Sequence, residues 1–149
     1  MEDGRSLAAF SMIVWRRVAA GKPEHIVGYV SHYLQGAWSK KDDAFIVPEA
    51  GLYYLSLSYL RDAQPLPNET KRYTNEDTRI DIVVNGDLCT KQKSHAAAPG
   101  GGPRQLGAVS LIMHMDQGDK LWTRDWAQEE EHERRLEEIV FAGYRIGKP

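Results

Sequence analysis

Short stretches rich in β-branched and aromatic residues recur along the whole chain, each closed by residues that turn the backbone. They run Leu7 to Trp15, Phe45 to Val47, Leu52 to Leu60, Arg79 to Val84, Ala108 to Met115, Leu121 to Trp126 and Ile139 to Ile146. Between them stand Gly21-Lys22-Pro23, Pro48 to Gly51, Asn85-Gly86, Pro99 to Pro103 and Gln117-Gly118-Asp119. Such segments predict strands, and many short strands at even spacing predict an antiparallel sandwich or barrel. Asn85-Gly86 is a hairpin signal, because both residues tolerate positive φ. Only Glu129 to Glu138 has a helical look; its charge all round fits a solvated loop or one exposed turn equally well. Ala63 to Thr78 and the glycine- and alanine-rich Lys91 to Gln105 read as long loops.

The two faces of the strands differ less than those of a half-wet sheet should. In Leu52 to Leu60, Tyr53, Leu55, Leu57 and Tyr59 share one face; Leu52, Tyr54, Ser56, Ser58 and Leu60 share the other. In Ala108 to Met115, Val109, Leu111, Met113 and Met115 oppose Ala108, Ser110, Ile112 and His114. A solvated face would carry charge at alternate positions. Here the second face is small, aromatic or weakly polar, which predicts a covered surface: a subunit interface, or another part of the same chain.

The chain has 149 residues, enough for a single domain spanning 1–149 with a core of its own. Hydrophobic residues form 42% and charged residues 27%, with a net charge of −2, so no electrostatic feature points to nucleic acid or an anionic membrane. The lone cysteine, Cys89, excludes an internal disulfide framework and reads as a small structural residue rather than a nucleophile. No apolar run reaches the ~20 residues that span a bilayer. The start, MEDGRSLAAF, lacks the regions of a signal peptide, as in a cytosolic protein or in a domain excised from a secreted one.

Catalytic patterns are missing. His25, His32, His95, His114 and His132 are scattered without a His-x-His pair, and no Gly-x-Ser-x-Gly elbow, phosphate-cradling glycine loop or Cys-x-x-Cys is present. APGGGP lacks the lysine and helix of a phosphate loop and reads as a flexible loop.

One sequence of features carries a resemblance. Ala9-Phe10-Ser11 is followed by FIVPEAGLYYLSLSYL from Phe45 to Leu60, then Val84-Asn85-Gly86, the run from Ser110 to Leu121, and FAGYRI from Phe141 to Ile146. This order resembles the globular head of complement first component, subcomponent q, which stands close to the tumour necrosis factor superfamily. The family pattern would place Phe10, Phe45, Pro48, Gly51, Tyr53, Tyr54, Asn85, Gly86, Ser110, Gly118, Asp119, Phe141, Gly143 and Tyr144 at its marked positions. The likeness covers nearly the whole chain. Independently, Gly51 and Gly118 occupy turns that call for positive φ. Phe141 and Tyr144 fall on opposite faces of the last strand, and Gly143 would admit another backbone closely.

The resemblance implies an all-β, ten-stranded antiparallel jelly-roll sandwich, assembled as a homotrimer. It implies recognition of protein, carbohydrate, lipid or pathogen surfaces, an extracellular setting of the innate-immune kind, and no catalysis. The covered face would then be the trimer interface, built from Tyr54, Ser56, Ser58, Ser110, Ile112 and Tyr144. The chain departs from the family in lacking a Gly-X-Y stalk, and Gln128 to Glu138 lacks the usual Asn/Asp-rich stretch. Calcium is the family's common ion. Asp87 matches one of its positions, whereas His95 stands where another acidic residue would be; the alternative is a turn-forming Asp87 without metal.

Further candidates for ligand binding are Trp122, Arg124 and Trp126, which share a strand face as an aromatic-cation ledge, with packing under a loop as the alternative. Trp15 beside Arg16 and Arg17 raises the same choice. Glu131 lies in the acidic stretch Glu129 to Glu133, a solvated part of a recognition surface or a set of metal ligands. Asn68-Glu69-Thr70 is a glycosylation sequon, meaningful if the chain is secreted. Two other functions fit a jelly roll: a structural unit of a capsid or spike, and a cupin-like metalloenzyme.

Overall fold

The computed structural model describes residues 8–18, 24–65, 78–85, 90–98, 104–125 and 133–147. Every regular element there is a strand: β1 (Ala9–Val18), β2 (Glu24–His25), β3 (Val30–Gln35), β4 (Ala37–Ser39), β5 (Ala44–Ile46), β6 (Gly51–Pro65), β7 (Thr78–Asn85), β8 (Thr90–Ala98), β9 (Arg104–Met115), β10 (Lys120–Asp125) and β11 (Glu133–Gly147). All pairings are antiparallel. One sheet runs β3-β1-β11-β6-β9; the other runs β4-β5-β10-β7-β8, with β2 added beside β10. Spatial neighbours are mostly distant in sequence, the mark of a jelly roll.

The interior follows from alternation. On β6, Tyr53, Leu55, Leu57 and Tyr59 are buried, and on β11 so are Ile139 and Phe141. Ile80, Ile82 and Leu121 meet them from the opposite sheet. Phe10 stacks on Phe45 at 4.4 Å between centroids and meets Phe141 edge-on at 5.0 Å, so an aromatic cluster joins both layers. Each fully buried side chain of this kind contributes roughly 1.5–3 kcal/mol relative to exposure.

Charge closes the sandwich at both ends. At one end Arg61, fully buried and in phase with Tyr59 on β6, donates from Nε to Glu137 of β11 and from Nη2 to Asp125 of β10, the latter at 2.9 Å. Burial alone would depress the guanidinium's pKa; the facing carboxylates of Glu137 and Asp125 outweigh that and hold it above its ordinary value. The Arg61 guanidinium also lies 5.1 Å from the centre of the Tyr59 ring. At the other end Arg145 donates to the Ala50 carbonyl at 3.1 Å, and Tyr53 donates its hydroxyl to the Glu49 carbonyl at 2.7 Å.

Several expectations are corrected. Residues 133–138 are not a loop or a helical turn but the first part of β11, where Glu133 pairs with Pro65 and Glu137 with Arg61. The buried Arg61 draws Glu137 inward, which charge density alone had assigned to solvent. Most of 91–105 is likewise strand, in β8 and the start of β9, rather than loop; alanines at 96–98 pair along Thr78 to Ile80. Ala63 to Pro65 continue β6. Gly118 has the positive φ of a turn, at 88°, but Gly51 does not. Gly51 is needed for space instead, since a Cβ there would strike the Gly147 carbonyl oxygen and lie 2.7 Å from Arg145 Nε.

Replacing Arg61 with Met leaves Asp125 and Glu137 buried without the guanidinium. The expected loss is about 3–5 kcal/mol of unfolding free energy, read from urea melts.

Candidate interaction face

Because strand side chains alternate, the inward set fixes an outward set on the five-stranded sheet, and the ladder registers arrange it in rows. Trp15, Glu138, Leu60 and Leu106 lie abreast across β1, β11, β6 and β9. The next row is Ile13, Val140, Ser58 and Ala108; then come Ser11, Ala142, Ser56 and Ser110, and then Ala9, Tyr144, Tyr54 and Ile112. Of these positions only Glu138 is charged. The large apolar residues stand open in the single chain: Trp15 is 62% exposed, Leu106 66%, Ile112 62% and Tyr144 51%. Monomeric proteins rarely leave so continuous an apolar surface to water.

The relief of the face is informative. A row containing only Ser and Ala separates two rows of large side chains, so the surface has a waist between two ridges. Tyr54 and Tyr144, directly opposite each other, have ring centroids 5.4 Å apart and form one ridge. At the other ridge a groove of about 360 Å³ runs between β6 and β9, lined by Leu60, Leu106, Ala108, Val140 and Glu138. It dips where Gly107 lets the Tyr59 ring lie beneath β9; a Cβ at Gly107 would stand 2.7 Å from that ring's Cζ.

The six residues predicted for an interface are therefore brought together on one face. Tyr54 and Ser56 are half-buried; Ser58, Ser110, Ile112 and Tyr144 are exposed. Sequence reading missed the part that β1 and β3 contribute. Edge strand β3 adds exposed Val30 and Tyr33, registered with Ile13 and Ser11, and β1 adds Trp15. The signal for β3 was slight: Val30 and Tyr33 favour a strand and Gly28 and Gly36 bound it, but Ser31, His32 and Gln35 dilute the pattern.

Two of the ligand candidates lie on the opposite layer. Trp122 and Arg124 both point outward from β10, but neither ring nor guanidinium forms an open ledge. Trp122 stacks on His25 at 4.2 Å and 17°, and Arg124 donates from Nη2 to Asp81 at 2.9 Å. Trp126, Glu131, Asp87, Cys89 and Asn68 lie outside the described residues. His95 sits on β8 opposite Asp81. Among the described residues no group of three His, Cys, Asp or Glu side chains is placed to hold a metal, and no helix is long and apolar enough to cross a membrane.

Two antiparallel layers in this strand order define a jelly-roll sandwich. The specific variant is the complement-q and tumour necrosis factor-like jelly roll. The chain is similar to the globular domain of the zebrafish complement 1qA protein, with 13% identity and a TM-score of 0.67 over 95% of this chain and 98% of that one. It is similar to the Eiger tumour necrosis factor from S. frugiperda, with 10% identity and a TM-score of 0.66 over 96% and 93% of the two chains. It is also similar to murine APRIL, with 10% identity and a TM-score of 0.56 over 89% and 98%. No protein-family model matches the sequence, and no curated protein matches it.

Two measurements test the local physics. Gly143→Ala would bring a Cβ to 2.7 Å from Leu55 Cδ2 and 2.9 Å from both Phe10 Cε1 and the Tyr54 carbonyl oxygen. Overpacking of this kind should cost about 1–3 kcal/mol in thermal or urea melts. On the other layer, the hydrogen bond from Lys120 to Asp42, at 2.8 Å, holds the Asp42 carboxyl below its ordinary 3.8. The folded value lies below the unfolded one, so the pair's contribution is present above pH 3.8 and is lost as pH falls through the folded value. Lys120→Met should move the Asp42 midpoint upward in a carboxyl NMR titration.

Proposed function

We propose that this chain is a non-catalytic recognition head that works as a homotrimer, with the outward face of the five-stranded sheet turned toward its own copies. The observation that carries the reading is the near absence of charge in four successive outward rows across β1, β11, β6 and β9, where only Glu138 interrupts Ser, Ala, aromatic and aliphatic residues. Among the described residues, Trp15, Leu106, Ile112 and Tyr144 have no cover from the same chain. Covering them is strongly favourable at roughly 25 cal/mol per Å² of apolar surface. The serine and alanine waist lets a second copy approach closely, and the flanking ridges give the contact a register.

The count of three comes from the resemblance to the complement-q head; closed cyclic symmetry is the usual outcome for a single repeated patch that meets a different one. Tyr54, Ser56, Ser58, Ser110, Ile112 and Tyr144 would form the interface, and the opposite layer with the loops would face ligand in an extracellular setting. The like fold of the complement 1qA globular domain and of the tumour necrosis factors Eiger and APRIL supports a binding rather than a catalytic role. A calcium ion at Asp87 would belong to the loops and is not needed for the interface.

Sedimentation equilibrium decides the matter. At about 10 μM, affinities of the size that such an interface supports should give a mass three times 16.9 kDa. Ile112→Glu, which sets a charge at a 62% exposed position on the ridge formed with Tyr54 and Tyr144, should give a folded monomer with the wild-type circular dichroism spectrum. A wild-type chain that sediments as a monomer overturns the reading.

A further inference from the structure

A cleft of about 300 Å³ opens on the outward side of the six-stranded sheet, at the seam of four segments. Lys120 and Trp122 come from β10, Asn85 from the end of β7, His25 and Val27 from β2 and the residues after it, and Asp42 from the turn between β4 and β5. Its one carboxylate is spent: Lys120 donates to Asp42 Oδ2 at 2.8 Å. The second ammonium, Lys41, is exposed at the rim, and the wall formed by Trp122 and Asn85 is uncharged.

Its neutral hydrogen-bonding groups are not spent. The indole N–H of Trp122 and the amide oxygen of Asn85 are shielded from water and have no hydrogen-bond partner. A polar group left so costs about 1–3 kcal/mol, and one donor with one acceptor in the same wall is a matched pair. Backbone strain marks the same place. Asp43 is a non-glycine residue at φ 43°, held there by the Gly28 N–H to its carboxylate at 3.2 Å and by His25 Nε2 at 3.1 Å from its carbonyl oxygen. His25 in turn lies flat on Trp122, and Val27, 59% exposed, adds an apolar wall.

From this combination we infer that the cleft binds a neutral, hydroxyl-bearing ligand of monosaccharide size. A hydroxyl donates to Asn85 Oδ1 and accepts from Trp122 Nε1 through a single atom and without bringing charge, and the apolar C–H face of a sugar ring suits Val27 and the edges of the stacked rings. His25, partly exposed and held by one hydrogen bond and its stack, is the wall that moves aside. All the lining residues belong to one chain, so the site does not depend on the assembly proposed above.

The test titrates glucose, galactose, mannose and N-acetylglucosamine into uniformly 15N-labelled protein and follows the Trp122 indole N–H, assigned through Trp122→Phe. At least one sugar should shift that resonance saturably, with a Kd on the order of 1–10 mM, as suits a single small ring. Trp122→Phe, which keeps an aromatic ring and removes the donor, should weaken binding, followed at the Asn85 side-chain amide, at least about fivefold, equivalent to one lost hydrogen bond, with the wild-type circular dichroism spectrum. Ile112→Glu should bind as the wild type does, whatever its oligomeric state. If none of the four sugars moves the Trp122 resonance, or Trp122→Phe binds as tightly as wild type, the site is overturned.

Discussion

Arg61 sits wholly inside the sandwich, and everything around it is placed by the need to answer its charge. Glu137 reaches it along its own sheet and Asp125 across the gap between sheets, so one guanidinium fixes β6, β10 and β11 in depth and in register. A slip of β11 by one residue would put Glu138 inside and Glu137 outside, and would exchange Phe141 for Ala142 in the core. Buried ion clusters of this type add little net stability over apolar replacements. Their effect here is on uniqueness. The apolar middle of the sandwich tolerates many packings, whereas the charged end accepts one.

That fixed register is what turns a hydrophobic strand pattern into an ordered external surface. The outward rows from Trp15 to Leu106 and from Ala9 to Ile112 exist only because each inward neighbour is locked. The face and the core are the same strands read in opposite phase. The two layers also divide their labour. The five-stranded sheet presents an almost uncharged surface, while the six-stranded sheet presents paired charges, Arg124 with Asp81 and Lys120 with Asp42, around a small polar cleft.

Much of this was legible in the residues. The alternation of Tyr53 to Tyr59, and of Val109 to Met115, gave both faces correctly, and Phe141 and Tyr144 fell on opposite sides as their spacing requires. What escaped was charge in phase with the core. Arg61 continues the Tyr53-Leu55-Leu57-Tyr59 series, Asp125 the Leu121-Thr123 series, and Glu137 precedes Ile139 and Phe141 in step. Each alone looks like the end of a strand, because a single sequence gives no cue that three such ends meet. For the same reason 133–138 read as solvated. Polar edge strands were also lost: β3 mixes Ser, His and Gln with its apolar residues, and β8 is built of Lys, Gln, Ser and Ala, whose propensities favour other structures. Pairing to β1 and β7 overrides those preferences. The cleft was only partly visible, since Trp122 was in view but His25, Asn85 and Asp42 come from segments far apart in the chain.

The alternating phase has an evolutionary corollary. Residues such as Ser56, Ser58, Ala108 and Ser110 share strands with the core yet contribute no atoms to it, so substitution there leaves folding intact while altering which surfaces adhere. A lineage carrying this scaffold is free to remodel that outward plane by a few exchanges, while the interior stays under a separate and much stricter selection.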